Sequence, residues 1–205
     1  MSNPPCSEAA ERNKDAILEV LRTEFRDARQ VLEIGSGTGQ HAVHFGANLP
    51  QLTWQTSDLE ENHSAILERL AAEGPPNVQP PLRLDVEDAD APPLAADAVF
   101  SANTAHIMSL RGVQCMLRLV GRALPCGGRF CLYGPFRFEG RASSDSNARF
   151  NAALRQQDAA MGVRDLADLD RLAAVAGLQR VRLYAMPANN HIAVWEKTSA
   201  TKKTE

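Results

Sequence analysis

The segment Val31-Leu32-Glu33-Ile34-Gly35-Ser36-Gly37-Thr38-Gly39 constrains this chain more than any other. Gln30 to Ile34 has the apolar character of a short buried strand, and it runs without a spacer into three glycines at alternate positions. Glycine turns tightly and carries no Cβ, so a backbone built this way can approach another group closely. In an open α/β sheet that group is a ligand, held in the crevice beyond the carboxyl ends of the strands.

The rest of the chain alternates in the same way. Glu8 to Phe25 is an amphipathic helix with Ile17, Leu18, Leu21 and Phe25 on one side. A helix from Gln40 to Asn48 follows the glycines, then a strand from Thr53 to Ser57 ending at Asp58. The next helix, Glu60 to Glu73, is expected to turn Ile66, Leu67 and Leu70 inward. Pro75 to Pro81 is expected as a rigid surface connection, with a short third strand at Leu82 to Leu84 ending at Asp85. Ala98 to Ala102 makes a fourth strand ending at Asn103. Val113, Met116, Leu117, Val120 and Leu124 keep helical spacing up to Pro125, Gly127 and Gly128, and Arg129 to Tyr133 is the fifth strand. Gly134 to Asp145 is expected as a loop, followed by helices near Asn147 to Asp158 and Asp165 to Ala176. Arg180 to Ala185 and His191 to Glu196 flank Asn189-Asn190 and form a closing antiparallel hairpin. Strands alternating with helices imply a parallel sheet covered on both faces.

Bulk properties narrow the partners. The 205 residues fit one domain, 1–205, with a helix at about 8–26 capping the ligand and a polar tail at 198–205. No apolar run approaches the roughly 20 residues that span a bilayer, so no membrane partner is expected. Met1 to Ala10 lacks a basic segment leading into an apolar stretch, so a cytoplasmic location is expected. A formal net charge of -3 argues against nucleic acid, whose binding draws on phosphate neutralisation. Cys6, Cys115, Cys126 and Cys131 match no zinc or disulfide spacing; Cys115 falls on an apolar helix face and Cys131 in an apolar strand. His41 and His44 share a helix face without a third ligand nearby, so no metal is expected.

The strand ends carry the chemistry. The glycine spacing is G-x-G-x-G rather than G-x-G-x-x-G, and Glu33 stands two places before the first glycine. A carboxylate there helps a pyrophosphate little, whereas a ligand with an ammonium and a sulfonium gains from it. Asp58, followed by Leu59, ends the second strand, where a carboxylate accepts hydrogen bonds from both ribose hydroxyls. Asp85-Val86, after the third strand, are placed for an adenine. Asn103 to His106 follow the fourth strand and face the same crevice. Four such signals at four successive strand ends point to S-adenosylmethionine as cofactor. The expected contacts are Glu33, Gly35, Ser36, Gly37, Gly39, Asp58, Leu59, Asp85, Val86, Asn103 and His106.

The glycine motif resembles that of class I methyltransferases. Further segments resemble a narrower group, the methyltransferase-like protein 26 family, which lacks an assigned substrate. They are Ala10-Glu11-Arg12-Asn13-Lys14, Val31 to Gln40, Asn103 to Ile107, Tyr133-Gly134-Pro135-Phe136, Ser146-Asn147, Gly162 to Leu166 and Met186-Pro187-Ala188-Asn189-Asn190. The chain departs from that pattern at Met108-Ser109, where an aromatic is expected, so its acceptor pocket need not match. The resemblance implies a Rossmann-like, seven-stranded, mostly parallel methyltransferase sheet with a C-terminal antiparallel hairpin. It implies an S-adenosylmethionine-dependent methyltransferase, and the absence of a basic stripe or appended domain favours a small-molecule acceptor. Two alternatives stand: a non-catalytic S-adenosylmethionine-binding protein, and a nicotinamide-dependent oxidoreductase, which the glycine spacing disfavours.

Several residues carry two readings. Arg12, Asn13 and Lys14 are solvated ahead of the apolar stripe, or they close over the ligand, with Asn13 on the cofactor. His106 is a structural histidine, or it touches cofactor or substrate. Asn189-Asn190 is a plain turn, or its amides point at the acceptor. Arg12, Tyr133, Asn147 and Asn190 are the candidates for the acceptor side, and His106 and Tyr133 for a general base. Asp145, Asp165, Asp168 and Asp170 are expected as helix-start and surface charges.

Overall fold

A computed structural model describes residues 4–88 and 94–199. Its main sheet has seven strands: β1 (Gln30–Glu33), β2 (Thr53–Asp58), β3 (Val78–Arg83), β4 (Ala98–Ala102), β5 (Arg129–Gly134), β9 (Leu178–Met186) and β10 (Asn190–Lys197). Their order is β3-β2-β1-β4-β5-β10-β9, with β3 to β5 parallel and β10 antiparallel to both β5 and β9. This is the α/β, mostly parallel arrangement with a closing hairpin expected from the sequence. The order reverses at β1, which pairs with β2 on one side and β4 on the other. That reversal opens the crevice in which ligands of such sheets bind.

The helices are α1 (Glu8–Glu24), α2 (Gln40–Asn48), α3 (His63–Glu73), α4 (Leu110–Ala123), α5 (Asp145–Gln157) and α6 (Leu166–Val175). Side chains alternate across each strand, so one strand supplies two cores. Val31, Phe100, Cys131, Ile192 and Val194 pack under Ile17, Leu21, Phe25 and Phe45 of the α1–α2 face. Leu32, Val99, Leu132, Ala193 and Trp195 pack under Val113, Met116, Val120 and Leu169 of the α4–α6 face.

Four expectations are corrected. Gln79, Pro80 and Pro81 lie inside β3 rather than in a connection, because β3 is an edge strand whose outer side needs no N–H donor; the β2–β3 register shifts between Gln55 and Ser57 to accommodate them. Leu67 is 48% exposed, and the buried residues of that helix are Ile66 and Arg69, because positions 66, 69 and 70 share one face at helical spacing and 67 lies about 100° round from 66. The span expected as a loop after Gly134 contains β6 (Phe136–Phe138) and β7 (Arg141–Ala142), which join β8 (Arg164–Asp165) in a small second sheet. Asp170 is also more than a surface charge: its carboxylate accepts from Arg180 Nε at 2.9 Å and Trp195 Nε1 at 3.0 Å, tying α6 to the hairpin. Residues 200–205 of the expected tail lie outside the described residues.

Candidate functional site

Two hollows open at the carboxyl edge of the sheet. The larger, about 590 Å³, is lined by Ile34, Gly35, Gly37, Asp58, Leu59, Asn62, Leu84, Asp85, Val86, Glu87, Ala102, Asn103, Thr104, Ile107, Met108, Ser109 and Gly112. The smaller, about 340 Å³, is lined by Ala9, Arg12, Asn13, Asn103, Tyr133, Pro187, Ala188 and Asn190. Both fall in the size range of small-molecule sites, roughly 300–1,000 Å³. Asn103 lines both, at the end of β4 with φ 60.

The glycine loop is shaped by close approach. Gly35 has φ +75, and a Cβ there would lie 2.6 Å from Thr104 Cγ2, so a side chain would push β1 away from the loop after β4. Ser101 Oγ donates to Ile34 O at 2.7 Å and shares a hydrogen bond with Thr104 Oγ1, which knits the two strand ends together. Asp58 faces the larger hollow with its carboxylate already oriented. Oδ2 accepts from Gly37 N at 2.7 Å, and Oδ1 accepts from Leu59 N and Asn62 Nδ2, both at 2.8 Å. Three donors on a carboxylate with about four acceptor positions hold it rigid and leave capacity for a ligand. Gly35, Gly37, Asp58, Leu59, Asp85, Val86 and Asn103 therefore share one hollow, apolar at Leu59, Val86, Ile107 and Met108 and acidic at Asp58 and Asp85.

Five of the expected cofactor residues lie elsewhere. Glu33 does not line the hollow. It shares the face of Val31 by strand alternation, and its Oε2 accepts from Ser36 Oγ at 2.8 Å and Trp54 Nε1 at 3.1 Å. Burial pushes its carboxyl up to about 7, against those two hydrogen bonds. Ser36 is spent on that contact and on Ser57, and Gly39 caps α2 against Arg69 and Ile66. His106 is buried, with its ring 5.2 Å from Phe150, and lines neither hollow. Burial, helped by the Arg164 charge, pushes its imidazole down to about 4. Asn13 lines the smaller hollow, where its Oδ1 lies 2.7 Å from His41 Nε2. His41 stacks on Phe45, and burial pushes it down to about 4. Helix α1 thus borders the smaller hollow rather than capping the larger.

Of the acceptor-side candidates, the structure brings Arg12, Tyr133 and Asn190 together; Asn147 stands behind them. Asn147 Nδ2 donates to Ser143 Oγ at 2.7 Å and to Asn189 O at 2.9 Å, which fixes the turn at Pro187–Asn189. Ala188 and Asn189 hold φ 57 and 58 in that turn. Burial pushes the Tyr133 phenol above 10, against the Asn13 and Asn190 side chains and the Arg12 charge.

Sequence reasoning missed three residues that build the site. Asn62 braces Asp58; its place four residues on, just before α3, is a capping signal. Arg69 donates from Nε to Thr38 O at 3.2 Å and from Nη2 to Pro5 O at 2.6 Å, joining the glycine loop to the segment before α1. A lone arginine in an apolar stripe is the clue. Gln40 ties the same parts together, accepting from Ser7 N and Thr38 Oγ1. Among the described residues no group of three metal-ligating side chains comes together, and no helix is long and apolar enough to cross a membrane.

Several solved structures with this architecture are named as methyltransferases. An O-methyltransferase family 2 protein from Planctomyces limnophilus DSM 3776, in complex with apigenin, matches with TM-score 0.79 at 17% identity, over 93% of this chain and 58% of that one. An O-methyltransferase family protein from Burkholderia thailandensis matches with TM-score 0.75 at 18% identity, over 91% and 59%. Human N-acetylserotonin methyltransferase, in complex with SAM, matches with TM-score 0.70 at 16% identity, over 95% and 60%. The chain spans about three fifths of the length of these structures, and shares with them the Rossmann-like methyltransferase fold. A family model described as "protein of unknown function (DUF938)" matches residues 4–197, nearly the whole chain, and the chain belongs to that family.

Proposed function

We propose that the protein is an S-adenosylmethionine-dependent methyltransferase acting on a small molecule, within the class I group and close to the methyltransferase-like protein 26 family. The observation that carries this reading is the pair of hollows that meet at Asn103. One has the acidic strand ends and apolar walls that suit an adenosine; the other, lined by Arg12, Tyr133 and three asparagines beside Ala9, Pro187 and Ala188, opens beside it. Bound there, S-adenosylmethionine supplies an electrophilic methyl group on a sulfonium.

The residues of the chain bind and orient. Asp58, held by Gly37, Leu59 and Asn62, is suited to accept from ribose hydroxyls, and Asp85 from an adenine amino group. Gly35 lets the backbone come close without a Cβ in the way. Asn103 stands between donor and acceptor, where holding two reactants in line contributes roughly 7–11 kcal/mol to such a transfer. Neither base candidate is suited to the role. His106 lines neither hollow, and Tyr133 keeps its proton and serves as a donor. An open smaller hollow speaks against a non-catalytic binder with a filled acceptor side.

Thermal unfolding with S-adenosylhomocysteine, against NAD, tests the cofactor. A ligand at about 100 times its dissociation constant stabilises by roughly 2.7 kcal/mol. A shift with S-adenosylhomocysteine alone is expected; a shift with NAD alone returns the chain to the oxidoreductase reading. Transfer of labelled methyl to RNA or protein but to no metabolite pool sinks the small-molecule acceptor.

A further inference from the structure

We infer that the methyl acceptor is a small organic acid, methylated on its own carboxylate oxygen. The inference rests on the cofactor reading above and concerns the smaller hollow alone. Its polar lining is the Arg12 guanidinium, the amides of Asn13, Asn103 and Asn190, and the Tyr133 phenol, with no carboxylate and no imidazole. The one positive charge among neutral groups is on Arg12, at the exposed rim and shared with Glu8, and it favours an anion over an ammonium. A guanidinium fork suits a carboxylate in particular, since its paired N–H groups match the two oxygens. Arg12 is exposed and engages Glu8 through Nη1 at 3.2 Å, which uses one of its five donors.

The same lining lacks any group able to take a proton near neutral pH. Guanidinium and amides are not bases there, and the phenol keeps its proton. An alcohol acceptor would forgo the roughly 10²–10⁴-fold that a positioned base contributes. A carboxylate arrives already deprotonated. Its oxygen forms the bond to the methyl carbon as the carbon–sulfur bond breaks, the electron pair stays on sulfur, and no proton moves. The negative acceptor and the positive sulfonium become a neutral ester and a neutral thioether, and the ester no longer has the charge that Arg12 holds.

A third observation comes from the neighbouring insertion between β5 and α6. Residues 135–165 carry five arginines, Arg137, Arg141, Arg149, Arg155 and Arg164, against Glu139, Asp145, Asp158 and Asp165, in a chain of net charge -3. Asn147 of that insertion holds the turn that borders the hollow. The insertion thus carries one net positive charge on a negative protein, and positive charge near a site raises the local concentration of anions.

The test uses the full chain with methyl-labelled S-adenosylmethionine and benzoate, phenylacetate and hexanoate, each beside its alcohol and its amine. Label that alkali releases as methanol, from the acids only, is expected. In parallel, calorimetry follows benzoate binding to protein saturated with S-adenosylhomocysteine. Arg12→Gln should weaken that binding roughly tenfold, and Arg12→Lys should recover part of it. Alkali-stable label on the alcohols or amines, transfer to none of the acids, or benzoate affinity unchanged in Arg12→Gln would each overturn the inference. S-adenosylhomocysteine titrated alone separates the two readings: if it binds while the acids neither bind nor react, only the acceptor class falls.

Discussion

Helix α1 carries two buried polar residues in its apolar stripe, Asn13 and Glu24, which stand at opposite edges of the sheet, roughly 16 Å apart along the helix axis. Each borders a hollow. At the amino edge, about 400 Å³ is lined by Glu24, Arg26, Asp27, Arg29, Asp97, Arg129, Arg182 and others. Glu24 accepts from Arg182 at 2.8 and 3.0 Å and from the Tyr184 hydroxyl at 2.6 Å, Arg129 pairs with Glu196 at 2.8 Å, and Asp97 Oδ2 takes the N–H groups of Arg29 and Gln30, both at 2.9 Å. The charges there answer one another. At the carboxyl edge the hollows are lined by acceptors and donors with spare capacity. The backbone around them also adopts unfavourable geometry, with Asn103, Ala188 and Asn189 all at positive φ. Strain of this kind, of order 1–3 kcal/mol per residue, persists where the surroundings enforce it, and it clusters at functional sites. Cavity size does not separate the two edges; satisfied charge against unspent polarity does.

The comparison is broken most directly at Glu24. Glu24→Ala takes the acceptor from the Tyr184 hydroxyl and from the half-exposed Arg182, and should cost about 1.5–3 kcal/mol in urea unfolding, the range for a hydrogen bond to a charged group, while leaving S-adenosylhomocysteine affinity unchanged. A lost affinity would mean that the amino edge takes part in function. Asp58→Ala should act on affinity, beside the stability lost with its three internal hydrogen bonds. Removing an acceptor of two charge-assisted hydrogen bonds should weaken S-adenosylhomocysteine on the order of 100-fold in calorimetry.

Further effects sharpen the contrast. The folded imidazoles of His41 and His106 are pushed down to about 4, whereas the ordinary value is 6.5. Between those values the unfolded state binds more protons, so stability falls as pH drops from 6.5 to 4, by on the order of 3 kcal/mol for each histidine. Glu33 opposes this over part of the range. Its folded value, about 7 against 4.5, makes stability fall as pH rises from 4.5 to 7. His106→Gln should therefore lose less stability than the parent protein between pH 6.5 and 4, read from urea midpoints at each pH. An equal loss would mean that the ring is not held neutral. Asn147→Ala removes two neutral hydrogen bonds and should cost about 1 kcal/mol, weakening acceptor binding a few-fold while S-adenosylhomocysteine binds as before.

Much of the architecture was legible because it is written in local pattern. Helix α1, β1, α2, β2, β4, α4, β5 and the hairpin fall within a residue or two of expectation, since each has a clear period and a turn at its end. The pieces that were not legible depend on distant partners. Pro80 and Pro81 argue against a strand unless the strand is known to be an edge. Phe136–Phe138 is too short to show alternation, and it pairs with Arg164–Asp165 from the far side of α5. In the site, Gly35, Gly37, Asp58, Asp85 and Asn103 were legible as strand-end residues. Arg69 and Gln40 were not, since their contacts run to the glycine loop and to the segment before α1.

The amino-acid order alone determined the alternation of strands and helices, the glycine turn after β1, and the acidic or amide residue at each of the next three strand ends. Those features need only near neighbours and backbone stereochemistry. Tertiary structure decided which way each polar side chain faced. Strand alternation turned Glu33 under α1 and α2, where the Trp54 indole N–H of the adjacent strand meets it, and His106 was buried with its ring against Phe150. It also decided that Arg12, Tyr133 and Asn190, drawn from the two ends and the middle of the chain, border one hollow. A strand end fixes a position, but the direction of a side chain there is set by whichever donor, acceptor or ring the rest of the fold brings within reach.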